Sequence, residues 1–298
     1  MPHYADELAA AVAKKRCPLV VGIDPRWEQL PEALRGDDSL AGRAEAYRRF
    51  SVGLIEAVAE VVPAVKPQMA FFEELGPAGM AALKEVVDRA HGHGIQVVLD
   101  GKRNDIGSTA QSYASGLLGR DSAWGGDALT VSPYLGDDSL TPFAEVARDR
   151  GAGVYVLVKT SNPGGAVWQD RLIDGKPLYR HVGEHVERLA KMTRGESGYG
   201  LVGAVVGATY PEQLAELRRA MPHTWFLVPG FGAQGGSAAD VAPAFDSAGM
   251  GAIVNSSRGV IFAHNRPEYA RFGPARWQEA VQQAAVDAAA ALREAAGL

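Results

Sequence analysis

Eight short apolar runs rich in β-branched residues punctuate the chain at a near-constant interval. They are LVVGID (19–24), AVKPQMA (64–70), QVVLDGK (96–102), ALTVSPY (128–134), VYVLVKTS (154–161), LVGAVVGAT (201–209), TWFLVPGF (224–231) and GAIVNSSR (251–258). Between Asp24 and Arg258 they recur about every 33 residues, the length of a strand–loop–helix–loop unit. The runs are continuous rather than alternating, as parallel strands covered on both faces should be. The stretches between them carry helical signals. RAEAYRRFSVGLIEAVAEVV (43–62) spaces its apolar residues at helical intervals, PAGMAALKEVVDRAHGHG (77–94) closes on glycine, and PEQLAELRRAM (211–221) opens with proline. Eight such units predict a closed (β/α)8 TIM barrel, with an open doubly wound sheet as the competing arrangement.

No linker or composition break divides the chain, so a single domain over 1–298 is expected. Two segments depart from the beat. NPGGAVWQDRLIDGKPLYR (162–180) makes a long connection after the fifth run, and Trp277–Ala296 reads as an Ala-rich helix beyond the barrel. The opening MPHYADELAAAVAKKR is charged throughout and reads as a short amphipathic helix, with no apolar core of a signal peptide.

Composition narrows the picture further. Of 298 residues, 47% are apolar, enough for a large core. A net charge of −5 gives no basic footprint, so a nucleic-acid partner is not expected, and an anionic ligand would need a local cluster of positive groups. Cys17 is the sole cysteine, which rules out an intrachain disulfide and a cysteine zinc site and fits a reducing compartment. No run approaches the roughly 20 apolar residues of a membrane span. The expectation is a cytoplasmic protein without a membrane partner.

Barrel active sites lie where strands give way to the following loops, so the ends of the runs are the place to look for chemistry. They present Asp24, Lys66, Asp100 with Lys102, Ser132, Thr160 with Ser161, Thr209, Pro229, and Asn255 through Arg258. In DGKRND (100–105), Asp100 and Lys102 are two apart, so on a regular strand both side chains point into the barrel mouth. Asp105 follows in the loop and Lys66 ends the neighbouring run, making a set of two carboxylates and two ammonium groups. One Asp–Lys pair is usually a surface ion pair of little consequence; four such groups on adjacent strand ends are not. PGFGAQGG (229–236) and NSSRG (255–259) follow the seventh and eighth runs, where barrels often bind phosphate. Backbone N–H groups of a glycine-rich turn can surround an oxyanion, and Arg258 can add a bidentate contact. His91, His93 and His181 form no pair at a strand end, so no metal site is expected. Phe71 and Phe72 read as packing residues, and Trp168 as an apolar anchor for its loop.

VKPQMAFFE (65–73), LDGKRNDIGSTAQSYA (99–114), VKTSNPG (158–164), VPGFGAQGG (228–236) and NSSRGV (255–260) together resemble the motif set of orotidine 5'-phosphate decarboxylases, most closely the longer-chain bacterial subgroup known as type 2. The resemblance spans nearly the whole barrel; Asn104 departs from it, where glycine is expected. It implies that Lys102 donates a proton to C6 of the pyrimidine, that Asp100 lies beside the substrate carboxylate, and that Lys66 orients Asp100 and contacts the ribose. Asp24 would bind a ribose hydroxyl and Ser161 the pyrimidine. Gln234 and Arg258 would hold the phosphate, with Pro229 and Ser257 also lining the substrate site. Asp105, Ile106 and Thr109 would reach the neighbouring subunit's site in a homodimer. The implied ligands are orotidine 5'-monophosphate and UMP, and the implied cofactor is none.

The residue types suit that chemistry. Losing CO2 from C6 leaves an electron pair in an in-plane orbital that the ring cannot delocalise, and the sequence shows no obvious site for a cofactor or metal to act as electron sink. A fixed ammonium at the developing carbanion is the electrostatic alternative, and Lys102 is placed to supply it and then the proton. A metal-dependent sugar-phosphate decarboxylase of the same superfamily should carry a further carboxylate where Lys66 stands. An imine-forming aldolase lysine should sit among apolar groups rather than carboxylates. A barrel that binds a nucleotide without catalysis is disfavoured by the complete charged set.

Overall fold

The computed structural model describes residues 3–232 and 236–298. Its barrel strands are β1 (Leu19–Ile23), β2 (Ala64–Pro67), β3 (Gln96–Arg103), β4 (Ala128–Val131), β5 (Gly153–Lys159), β6 (Val202–Val206), β7 (Phe226–Val228) and β8 (Ala252–Ser256). Each pairs in parallel with the next in sequence, and β8 returns to β1 through Leu19↔Val254, Val20↔Asn255 and Val21↔Ser256. Closure excludes the open sheet and makes the fold a (β/α)8 TIM barrel. Most strands stop short of the apolar runs that announced them, because the polar tails of those runs leave the sheet as the loops that build the mouth.

Helices Leu40–Val58, Gly76–Gly92, Pro211–Ala220 and Trp277–Ala296 lie where apolar spacing places them. Three others, Gly107–Leu117, Asp137–Arg150 and Leu178–Met192, have weaker local signals; the second carries Pro142 inside it. The connection after β5 is more ordered than a plain loop. It contains the short helix Ala166–Gln169 and an antiparallel hairpin with Leu172↔Pro177 and Ile173↔Lys176. Asp174 and Gly175 turn that hairpin with φ of 51° and 77°, the conformation that an Asp-Gly pair favours.

The barrel interior is filled from one end. Val20, Val98, Tyr155, Trp225 and Ile253 pack inside it against Tyr4, Leu8 and Val12 of the N-terminal helix Tyr4–Lys15. The Tyr4 and Tyr155 hydroxyls meet at 3.1 Å. On the same side, buried Asp127 accepts from the Val97 amide (2.8 Å) and Arg120 Nε (2.9 Å) and pairs with His91 Nε2 at 2.9 Å. With the strand N-termini covered by this helix, the larger cavity lies toward the strand C-termini. Among the described residues no helix is long and apolar enough to cross a membrane.

Candidate active site

A cavity of about 420 Å3 opens at the C-terminal rim. Its apolar lining is Leu157, Val205, Leu227 and Phe231; its polar lining includes Asp24, Lys66, Gln68, Asp100, Lys102, Thr130, Ser161, Asn255, Ser257 and Arg258. Asp100 organises it. Its Oδ2 accepts from Lys66 Nζ at 2.5 Å and Gln68 Nε2 at 3.0 Å; its Oδ1 accepts from Lys102 Nζ at 2.7 Å and Thr130 Oγ1 at 2.9 Å. Four donors satisfy the carboxylate almost completely, which is what a buried charge requires. Burial alone would raise the Asp100 pKa, but the Lys66 and Lys102 charges and their hydrogen bonds outweigh it and hold the carboxyl well below the usual range. Lys66 is buried too, and the attraction of Asp100 and Asp24 overcomes that desolvation and raises its pKa.

Lys102 reaches Asp100 by a different route from strand alternation. The β3–β4 register shifts between Leu99 and Arg103, and Lys102 adopts φ 44°, a left-handed conformation that non-glycine residues rarely hold. The expectation of two side chains aligned by a regular strand is therefore corrected: a backbone irregularity aims the ammonium. Lys102 is also the more exposed member, 47% by side chain against 8% for Asp100, so its ammonium is the more open to the cavity.

Asp105 does not join this cluster within the chain. Its Oδ1 accepts from the Ile106 amide at 2.8 Å, and Asp105, Ile106 and Thr109 are absent from the cavity lining. The row of four alternating charges is, within one chain, a row of three, because the loop after β3 carries Asp105 away from the mouth. Asp24, Ser161, Pro229, Ser257 and Arg258 do line the cavity. Asp24 Oδ1 and Asn255 Oδ1 are buried without a protein partner, so each can accept a donor from a ligand. Gly22 belongs to the same construction: a Cβ there would lie 1.9 Å from Ser257 Oγ. Gln234 lies outside the described residues.

The long connection is tied to β5 beside Ser161. Buried Lys159 pairs with Asp170 and lies over the rings of Tyr179 and Tyr210, while the Thr160 amide donates to Gln169 Oε1 at 3.0 Å. Trp168 is 66% exposed, so it does not anchor the loop; Lys159, Asp170 and Gln169 do. Phe72 is buried and Phe71 packs against the core, as packing residues should. Gln68 and Thr130 both bond Asp100, although the pattern of strand ends does not mark either. Among the described residues, no group of three or more His, Cys, Asp or Glu is placed to hold a metal ion.

A closed parallel barrel with its charged cavity at the C-terminal rim defines a (β/α)8-barrel enzyme. The chain belongs to the orotidine 5'-phosphate decarboxylase / HUMPS family, whose sequence model matches residues 18–272. It is 55% identical over 296 residues to an orotidine 5'-phosphate decarboxylase of Rhodopirellula baltica, covering 96% of this chain and 97% of that one. A Deinococcus radiodurans protein of the same name is 42% identical over 263 residues, 88% of this chain and 90% of that one. The structure of Leishmania donovani OMP decarboxylase superposes with a TM-score of 0.78 at 34% identity, covering 99% of this chain and 100% of that one.

Proposed function

We propose that the barrel mouth decarboxylates orotidine 5'-monophosphate to UMP and CO2 in pyrimidine nucleotide synthesis, with Lys102 stabilising and protonating C6. The observation that carries this reading is Asp100 held between the Lys66 and Lys102 ammonium groups inside the cavity. In the proposed complex the substrate carboxylate faces Asp100 and C6 faces Lys102 Nζ. The C6–carboxyl bond breaks, its electron pair stays on C6, and CO2 leaves. The positioned ammonium stabilises that charge and then transfers a proton to C6; the neutral amine regains one from water. Asp100 aims Lys102 through its 2.7 Å bond.

The rest of the cavity fits the rest of a nucleotide. Asp24, with its unpartnered buried oxygen, accepts a ribose hydroxyl, and Lys66 lies beside it. Ser161 meets the pyrimidine. Arg258 holds the phosphate, with Gln234, Pro229 and Ser257 on the two loops after β7 and β8. Binding energy at the phosphate serves the distant carbon if it is realised in the transition state. The proposal extends to a homodimer in which Asp105, Ile106 and Thr109 complete the partner subunit's cavity. Ile106, Tyr113, Tyr134 and Leu135 are large apolar residues left exposed on the segments after β3 and β4, a grouping that suits burial against a second copy. Incubating the protein with orotidine 5'-monophosphate in excess EDTA, while following its ultraviolet absorbance and released CO2, tests the activity. Equimolar CO2 and UMP are expected; no turnover, or turnover only after a divalent metal is restored, would contradict the reading.

A further inference from the structure

We infer that Thr130 is a positioning residue for this reaction: its hydroxyl locks the left-handed backbone of Lys102 to the Asp100 carboxylate and so aims the ammonium. The inference rests on the decarboxylase reading. Three observations carry it. First, the β3–β4 ladder runs regularly through Val98↔Ala128 and Leu99↔Leu129 and resumes only at Arg103↔Val131. Four steps on β3 are matched by two on β4, so Asp100, Gly101 and Lys102 lack ladder partners on the β4 side. Second, the slack is taken up at Lys102, with φ 44°. A lysine holds that conformation only when its surroundings enforce it. Third, Thr130 supplies the enforcement. The Lys102 amide donates to Thr130 Oγ1 at 2.9 Å, and the same hydroxyl donates to Asp100 Oδ1 at 2.9 Å.

These bonds close a ring. Lys102 main chain, Thr130 hydroxyl, Asp100 carboxylate and Lys102 ammonium follow one another, the last link being the 2.7 Å bond from Nζ to the same Oδ1. The hydroxyl replaces the backbone carbonyl that a regular ladder would offer the Lys102 amide. It also adds a second donor to Asp100 Oδ1, beside the Lys102 ammonium. Thr130 is 1% exposed, so its methyl is packed while its oxygen works both as acceptor and donor. A hydroxyl is needed for that double role; valine has the same shape and neither function. Both ends of the Lys102 residue thus refer to one carboxylate oxygen, the ammonium directly and the amide through Thr130.

The test compares Thr130→Val and Thr130→Ser with wild type under saturating and limiting orotidine 5'-monophosphate, with UMP affinity by calorimetry. Thr130→Val is expected to lower kcat by about tenfold or more with KM and the UMP Kd changed less than about threefold, because ground-state contacts remain and only the aim of Lys102 is lost. Thr130→Ser keeps the hydroxyl and is expected to restore kcat to within about threefold of wild type. Thr130→Ala removes the same oxygen without placing a methyl against polar groups, is expected to follow Thr130→Val, and covers the case in which valine does not fold. The assignment is overturned if the hydroxyl-free variants retain kcat, if serine fails to rescue, or if UMP binding weakens in step with kcat. The wild type run alongside separates the two readings: its inactivity would sink the decarboxylase assignment, whereas failure confined to the variants' pattern would sink only the role of Thr130.

Discussion

Replacing Asp100 with asparagine removes the charge that lets Lys66 stay buried as an ammonium. Both side chains are nearly inaccessible, 7% and 8% exposed, and 2.5 Å apart. Deleting one partner of such a pair leaves the other charge uncompensated in the interior, which costs about 3–5 kcal/mol. Asp100→Asn is therefore expected to lose about that much unfolding free energy in urea near neutral pH, at fixed protein concentration. The pH dependence supplies the sharper test. In the native protein burial opposes the Lys66 charge, but Asp100 and Asp24 prevail and raise its pKa. That stabilisation is complete below the unfolded lysine's pKa of about 10.4 and fades as pH climbs through the higher folded value. In the variant Asp24 alone opposes burial, which is the larger effect, so the folded pKa is expected to fall below the unfolded one. The unfolded chain then binds more protons, and stability must rise with pH toward about 10. The variant's deficit should narrow on going from about pH 7 to about pH 9.5. A deficit under about 1 kcal/mol, or one that is flat with pH, would refute this account of the buried pair.

Four further outcomes follow from the same geometry. Arg258→Ala should lower kcat/KM by more than about tenfold, or about 1.4 kcal/mol, while leaving the thermal midpoint close to wild type; a smaller loss would remove Arg258 from phosphate binding. Equal amounts of Lys102→Ala and Asp105→Ala subunits, each inactive alone, should regain about a quarter of wild-type activity after exchange, since half the dimers would carry one intact site; no recovery despite proven exchange would refute the shared site. Leu8→Ala, in the helix that seals the barrel's far end, should cost about 2–5 kcal/mol of stability with kcat unchanged at temperatures where the variant is folded; a proportionate loss of kcat would mean that the seal and the site are coupled. Acid should erode the native state partly through Asp127. Burial raises its pKa, but His91, Arg120 and the Val97 amide together lower it. Its contribution is therefore present above the unfolded Asp pKa and lost as pH falls through the folded value, and Asp127→Asn should flatten the acid limb of the unfolding curve.

The barrel was legible because its signals are repetitive: eight β-rich runs on one beat, each closing in a polar tail. Lys66, Asp100 and Lys102 could be placed together because strand ends converge on one rim whatever the details of each loop. Gln68 and Thr130 differ in how legible they are. Gln68 stands two positions beyond Lys66 in AVKPQ, so alternation alone gives it the same inward face. Thr130 lies within β4, inward like Ala128, and so falls outside a search confined to strand ends. The left-handed Lys102 has no sequence signal, since lysine carries no local preference for that conformation. Asp105 shows the limit of sequence proximity: three residues from Lys102, it turns away once the loop after β3 begins.

Whether Lys102 performs the chemistry is tested by the decay of orotidine 5'-monophosphate absorbance with wild type and Lys102→Ala, each folded, in excess EDTA. Decay with wild type, and a loss of at least about a thousandfold in kcat for the variant, roughly 4 kcal/mol of transition-state stabilisation, is the predicted result. Equal decay with both proteins would remove Lys102 from the chemistry.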